Sequence, residues 1–456
     1  MAGDNTNTGL LNFSRNTQGR YISDFFPNWS TLDQHTRYDW LTKFYDANNL
    51  YSDIGILAYW RDEYLETIRG LFTPAHRSVE FFASKLCQGS PRITATNQSI
   101  IEPIEQFLDW SNFDTQKSVA IRKDAMLGNV FKKVVVNEKV YEEILNEDYV
   151  TEFTKDARGF LLTFRMDIPN GNRWITEYWT ADPADGQPYY ATWNNSFGPN
   201  ARLDQLGTPD EFIFLSQWGI DFIPIVHIQF RDVGRQYGIA AVEHCVDKIH
   251  ELNRQGTLLH QKMFRENKTN TVITSQLDGK GMKLTPKISA EEKQGVRWFQ
   301  VDGGDIDTLD NKINWSAHLD TLKHYEEQLE QDLPELRYYA LSDRELSGEA
   351  LTKLLGGALD RANEAQKNFV TGQKRLNMMA LTLGRNAGIW TFNGEFDNGE
   401  LEHTMDFDEI LPSNSSKDKA AILAQLPPEI PLPLRMAMAG YSQELIDSVS
   451  VPQNQA

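Results

Sequence analysis

Apolar residues along this chain recur with two periods, and the switch between them divides it. From Pro74 to Gln88, Val79, Phe82, Ala83 and Leu86 recur every three or four positions, the spacing of one helix face. Pro74 suits the first turn of such a helix and Gly89 its end. Further stripes predict helices from Thr31 to Asp46, Ile101 to Trp110 and Thr115 to Leu127. Residues 1–20, polar and rich in Asn and Thr, read as a loosely held arm. After Leu127 the period falls to two. Phe131 to Val136, Lys139 to Leu145, Tyr149 to Thr154, Phe160 to Met166 and Arg173 to Trp179 are short and rich in β-branched and aromatic residues. With turns at Asp156–Gly159 and Pro169–Asn172 they predict one antiparallel meander. Residues 181–210 read as a Pro/Gly/Asn-rich excursion, after which Phe212 to Leu215 and Ile223 to Phe230 return to strand.

The clearest helix pattern runs from Ile239 to Phe264. Val242, Cys245/Val246, Ile249, Leu252, Gly256, Leu259 and Met263 form a narrow stripe, as on a helix packed among other long helices. Residues 265–312 hold strands at Thr271 to Ser275 and Arg297 to Val301 among Gly-rich turns. Trp315 to Leu333 is helical again, with Leu319, Leu322, Tyr325 and Leu329 on one side and Pro334 as a stop. A last long helix is expected from Ser347 to Leu383, with Gly356 and Gly357 inside it. Each interior glycine costs about 1 kcal/mol against alanine, so the pair predicts a kink. Leu401 to Phe407 is the best strand thereafter. Ser416 to Leu426 and Leu434 to Val449 read as short helices around the Pro-rich stretch Pro427–Pro433, and Ser450 to Ala456 as a frayed end.

Composition narrows the class. The 456 residues suffice for two to four modules at roughly 100–200 residues each. With 40% hydrophobic residues, 11 Trp, 16 Tyr and 24 Phe, the chain can build a sizeable core. Its net charge of −19 argues against a static grip on nucleic acid, which needs clustered Lys and Arg, but permits contact with DNA in transit. Cys87 and Cys245 lie far apart outside any C-x-x-C spacing, which favours a reducing compartment. The small, polar opening from Met1 to Gly9 does not read as a signal peptide, and no run reaches the ~18 apolar residues of a membrane span.

No motif carries catalysis. Gly279-Lys280 is followed by Gly281, where a phosphate-cradling P-loop needs Ser or Thr, and neither H-E-x-x-H nor G-x-S-x-G occurs. The chain is therefore expected to be neither an ATPase nor another enzyme, and to carry no cofactor. His244 and His250 are six apart, whereas a helical metal pair needs i and i+4; a packed Cys245 and two solvated histidines are expected instead. Asp305/Asp307 and Asp406/Asp408 are carboxylate pairs of a kind that can hold Mg²⁺ but is common in acidic loops and strands. The segment 315–336 sets Asp320, Glu326, Glu327, Glu330, Asp332 and Glu335 against Lys323 alone. That is either a solvated helix face or an anionic wall along which DNA slides. In 265–300, seven cations (among them Lys280, Lys283 and Lys287) meet four carboxylates, a basic island on an acidic chain. It is either chance loop composition or a docking surface.

This layout resembles the portal proteins of tailed double-stranded DNA bacteriophages over most of the chain. Thr73 to Pro91 resembles the early portal helix ending in a Gly-x-Pro turn, and Met126 to Phe131 the entry to the β meander. Phe222 to Val226, followed by a polar loop and Tyr237-Gly238, is similar to the approach to the first stem helix. Ser347-Gly-Glu-Ala-Leu351 is similar to the start of the long wing helix. The order and spacing of these motifs carry the resemblance.

The resemblance implies an α+β portal fold assembled as a ring, a dodecamer at one capsid vertex of the virion, put together in the host cytoplasm. Residues 1–236 would be wing, 237–264 the first stem helix, 265–312 the clip, 313–335 the second stem helix, 336–346 the tunnel loop, 347–412 the returning wing with its kinked helix, and 413–456 a small crown. The crown departs from the family pattern in being short and Pro-rich. The implied partners are other copies of the chain, double-stranded DNA in transit, the terminase large subunit, a head–tail adaptor and the major capsid protein, with no membrane. Asp320, Glu326, Glu327 and Glu330 would line the stem. Lys280, Lys283 and Lys287 would dock the clip. Arg337 and Arg344 would meet DNA at the tunnel loop, where Tyr338 and Tyr339 would contact DNA or pack between subunits. Two other readings are a different ring-forming head–tail connector and an acidic carbohydrate-active enzyme. Connectors are usually shorter, and an enzyme barrel needs repeated βα units or a long run of strands, which the pattern lacks.

Overall fold

The computed structural model describes residues 29, 32–46, 72–266, 270–275, 287–293, 296–302, 304–309, 315–341, 353–396, 398–408, 410, 423–427 and 430–439. The protein is α+β, and its contacts divide it into two compact units. One comprises Met1–Leu50, Thr73–Val246 and Glu330–Ala456, the other Tyr51–Phe72 and Asp247–Leu329.

The first unit begins with helices α1 (Gln34–Asp46), α2 (Pro74–Lys85), α3 (Ile101–Trp110) and α4 (Phe113–Leu127), with strand β1 (Arg92–Ala95) between α2 and α3. The apolar stripe of α2 is its buried face: Val79, Phe82 and Ala83 are buried with Phe81. Gly128 ends α4 in the left-handed region at φ +81°, and the chain at Ala240 passes so close that a Cβ there would lie 2.7 Å from the Ala240 nitrogen. Only glycine fits both demands.

The strands form two sheets rather than the single meander expected. β2 (Asn129–Val136) lies between β3 (Val140–Ile144) and β9 (Ile225–Gln229), antiparallel to both. β4 (Val150–Lys155), β5 (Leu161–Asn170), β6 (Arg173–Thr180), β7 (Tyr189–Asn195) and β8 (Glu211–Phe214) follow one another in a five-stranded antiparallel sheet. The break falls at the 3₁₀ turn Glu147–Tyr149, capped by the Asn146 side chain. The excursion 181–210 contains β7, a full strand whose Tyr-Tyr-Ala-Thr-Trp core is hidden by the Asp, Gly, Pro and Asn around it. β1 was also unexpected; it pairs antiparallel with β14 (His403–Asp406).

α8 (Gly356–Asn386) packs on β9 and β2. It starts at Gly356, so the glycine pair directly follows a break in the helical run, one residue from the expected kink; residues 347–352 of the expected helix lie outside the described residues. Leu355, at φ −102° and ψ 12°, separates it from a helical turn at Lys353–Leu354. Phe369, Leu376 and Met379 of α8 join Phe82, Phe131, Phe153 and Phe164 in one core. A polar chain crosses this core. Fully buried Lys132 holds Glu142 at 2.9 Å and the Gln373 Oε1 at 2.7 Å. Gln373 Nε2 donates to Glu142 Oε2 (2.7 Å) and Asn377 Oδ1 (3.2 Å), and Asn377 Nδ2 lies 3.0 Å from His403 Nε2. Each member is satisfied by the next, which is what makes a buried charge tolerable.

Residues 239–242, expected as the first turn of a long helix, are not helical. The Asn129 carboxamide oxygen accepts from Gly238 N and from His227 Nε2, both at 2.8 Å. Ile239 N donates to Arg231 O and Ala241 N to Ala125 O. These tertiary bonds compete with the helix, which starts at Val246 after a 3₁₀ turn at Glu243–Cys245. His227, stacked on Phe131 at 4.4 Å, is driven well below the ordinary histidine pKa by burial. The first unit also holds α9 (Leu432–Met438).

In the second unit, α5 (Val246–Glu266) buries Ile249, Leu252, Gly256 and Leu259 along the expected stripe. Asn253 Oδ1 accepts from Phe72 N at 2.8 Å while its Nδ2 donates to Phe72 O at 3.0 Å. His250, expected to be solvated, is 7% exposed, and burial pushes its pKa down to about 3. Strands β10 (Asn270–Ser275) and β13 (Gly304–Leu309) pair antiparallel and enclose a second antiparallel pair, β11 (Lys287–Lys293) with β12 (Val296–Asp302). β11 and β13 were not legible as strands, since their charged residues break the apolar alternation. The unit closes with α6 (Trp315–Asp332).

Candidate functional site: an acidic helix and its buried joint

α6 carries Asp320, Glu326 and Glu327 exposed and Glu330 half-buried. Among the described residues no ion pair holds any of the four; the nearest polar contact is Ser316 Oγ, 3.5 Å from Asp320. Glu330 lies in the last turn of the helix, where negative charge opposes the macrodipole at about 0.3–1 kcal/mol. Glu326 and Glu330 add an i,i+4 repulsion of about 0.2–0.5 kcal/mol. Lys323, spaced i,i+3 from Asp320 and Glu326 and i,i+4 from Glu327, offers attraction of the same size, so intrahelical electrostatics do not account for the acidic face.

The chain leaves α6 through Leu333, Pro334 and Glu335 and enters α7 (Leu336–Leu341). Leu333 and Glu335 are fully buried. Glu335, counted with the exposed acids in the sequence, is thus a core residue. Arg361 of α8 places its Nη1 at 2.9 and 2.7 Å from the two Glu335 oxygens and donates from Nη2 to Ala241 O at 2.5 Å. Ser78 Oγ of α2 donates to the same carboxylate. Burial raises the Glu335 pKa, and the charge of Arg361 and the Ser78 hydrogen bond oppose that rise. His244 Nε2 lies 3.2 Å from Asp332 O, so that nitrogen carries the proton. One carboxylate therefore ties together α2, the strap before α5, the exit of α6 and the entrance of α8. Neither Ser78 nor Arg361 had any sequence signal for this role.

Residues 336–341 are helical rather than the start of a loop. The Tyr338 ring meets Phe81 edge-on at 5.5 Å and lies under Lys85 Nζ at 4.9 Å, both on α2 of the same chain. Tyr339 packs edge-on against Tyr338 at 5.5 Å, and burial raises its pKa. Arg337 is half-buried. Arg344, Lys280 and Lys283 lie outside the described residues, while Lys287 opens β11 opposite Asp302. Asp408 faces Arg92 at 3.7 Å. Among the described residues no group of three His, Cys, Asp or Glu side chains could hold a metal ion, and no helix is long and apolar enough to cross a membrane.

No protein-family model matches the sequence, and no curated protein matches it. Among solved structures, a chain of one described as the neck of an empty GTA particle computed with C6 symmetry is similar at 11% identity and TM-score 0.46, over 83% of this chain and 94% of that one. A chain of the neck of a native GTA particle computed with C12 symmetry is similar at 11% identity and TM-score 0.39, over 88% and 99%.

Proposed function

We propose that this chain is a portal protein, the subunit of a dodecameric ring at one capsid vertex through which double-stranded DNA enters during packaging and leaves at ejection. The observation that carries the reading is an order of elements. A 21-residue helix, two nested strand pairs, an acid-faced helix, a buried joint and a 31-residue helix follow one another. In this reading α5 and α6 are the stem, residues 265–312 the clip and residues 413–456 the crown.

Physics supports the assignment of α6. Duplex DNA carries one charge per ~1.7 Å of axis, and a wall that bound those phosphates would brake it. Asp320, Glu326, Glu327 and Glu330 would instead repel the duplex within a Debye length of about 8 Å. Arg337 and Arg344 would supply the few cationic contacts, and Lys280, Lys283 and Lys287 would meet the terminase large subunit and then a head–tail adaptor. The major capsid protein would surround the ring. The conduit itself is passive and hydrolyses no nucleotide.

Negative-stain imaging of the purified protein tests this. Wide rings with an axial channel are expected. A monomer, or a small closed ring without a channel of duplex width, would sink the proposal.

A further inference from the structure

One face of the five-stranded sheet, buried at Arg165, Thr180 and Ala191, opens at β8 in a cluster of aromatic side chains that the conduit reading does not use. The register places two rows on this face. One runs Glu152, Arg165, Tyr178, Ala191, Phe212 and the other Thr154, Thr163, Thr180, Tyr189, Phe214. Tyr178 lies 6.1 Å from Tyr189, Tyr189 stacks on Phe212 at 5.0 Å, and Phe212 meets Phe214 edge-on at 5.0 Å. Phe212 is 46% exposed and Phe214 37%. Large aromatics so open on an edge strand invite a partner.

Two carboxylates flank the cluster. Asp185, reached by the Thr180 hydroxyl at 2.8 Å, lies beside Tyr178 and Tyr189, whose hydroxyls burial and then this charge push upward in pKa. Glu211 lies on the opposite face of β8 itself. Among the described residues β8 has a strand neighbour on one side only. The other edge of the sheet differs, because the Phe153 carbonyl of β4 accepts from Gln236 Nε2 at 2.8 Å.

We infer that β8 is a docking edge for an extended, cationic protein segment, which adds as a sixth strand and lays alternate side chains across Phe212 and Phe214. Strand addition supplies main-chain affinity. Arginine or lysine over the aromatic rows gains cation–π contact, with Asp185 on one face and Glu211 on the other as counter-charges. A purely apolar strand would leave those carboxylates unanswered, and an acidic one would be repelled.

The test uses the full-length protein and a fluorescently labelled peptide of alternating arginine and valine, read by anisotropy. Controls are an arginine–glycine peptide of equal length and charge and a glutamate–valine peptide. The arginine–valine peptide is expected to bind at least about tenfold tighter than either control. The exposed double substitution Phe212→Ser/Phe214→Ser should abolish that margin, and Asp185→Asn should reduce it, with the far-ultraviolet circular dichroism spectrum retained. Equal affinity for the two arginine peptides would reduce the effect to bulk charge and overturn the inference. So would binding unaffected by the double substitution. A substitution that changed the assembly state and left peptide affinity alone would assign the edge to a second copy of the chain, and would equally overturn it. Neither result bears on whether the protein forms a channelled ring.

Discussion

Replacing Arg361 by Met removes the one cation that, among the described residues, touches the buried Glu335 carboxylate. The side chain remains long and unbranched, so the change is mainly electrostatic. A naked buried carboxylate would cost about 3–5 kcal/mol. Glu335 has a second way out, which is to bind a proton. From its ordinary value of 4.5, protonation at pH 7 costs about 3 kcal/mol, at about 1.36 kcal/mol per unit, and under about 1 kcal/mol at pH 5. Protonation therefore limits the charge penalty. The Ala241 carbonyl also loses its donor, a pH-independent loss of about 1–3 kcal/mol.

The sign follows from linkage. A carboxyl whose folded pKa is raised binds more protons folded than unfolded, so stability falls as pH climbs from the unfolded value through the folded one. Arg361→Met raises the folded value further and widens that window. The variant should thus lose about 4 kcal/mol at pH 7 and about 2 kcal/mol less at pH 5. Hydrogen exchange of the amides over residues 330–341, converted to opening free energy at several pH values, measures it. Glu335→Gln/Arg361→Met should be insensitive to pH and lose less than the sum of the two single changes. A loss equal at pH 5 and pH 8, or strict additivity in that cycle, would refute the argument.

Lys132→Met should cost about 3–5 kcal/mol by stranding Glu142, and Lys132→Met/Glu142→Gln distinctly less, read as thermal unfolding midpoints; equal losses would mean that the pair is not coupled. Gly256→Leu in the buried stripe of α5 should overpack it by about 1–3 kcal/mol, and unchanged ring assembly with unchanged thermal stability would argue against α5 as a stem helix. Reversing Lys280, Lys283 and Lys287 to Glu should leave assembly intact on size exclusion but abolish DNA packaging or neck attachment in infected cells; normal packaging would remove the basic island as the docking surface.

Local pattern was legible where it coincides with burial. The α2 stripe, the strands β2, β5 and β6, and the hairpin between Asn170 and Arg173 all announced themselves, because period and turn chemistry are short-range. The pairing of β2 with β9 was not, since nothing near Phe131 points to His227. The candidate site divides in the same way. The exposed acids of α6 could be read directly, as each is what it looks like. Glu335 could not, because its burial depends on Arg361, 26 residues on, and on Ser78, 257 residues back. Tyr338 likewise takes its place from Phe81 and Lys85, which lie far off in the chain.

The polar chain from Lys132 to His403 acts as a register pin. Gln373 and Asn377 are one helical turn apart on α8; Gln373 meets Lys132 of β2 and Glu142 of β3, and Asn377 meets His403 of β14. Sliding α8 by a single turn, about 5.4 Å, would carry both amides past those partners into hydrocarbon and strand a buried lysine and a buried glutamate together. Small displacements offer no intermediate resting place, because neither charge finds a substitute on the way. α8 and the β2–β9 sheet must then travel as one piece under load, and any bending is concentrated at the break beside Leu355, where no such pin exists among the described residues.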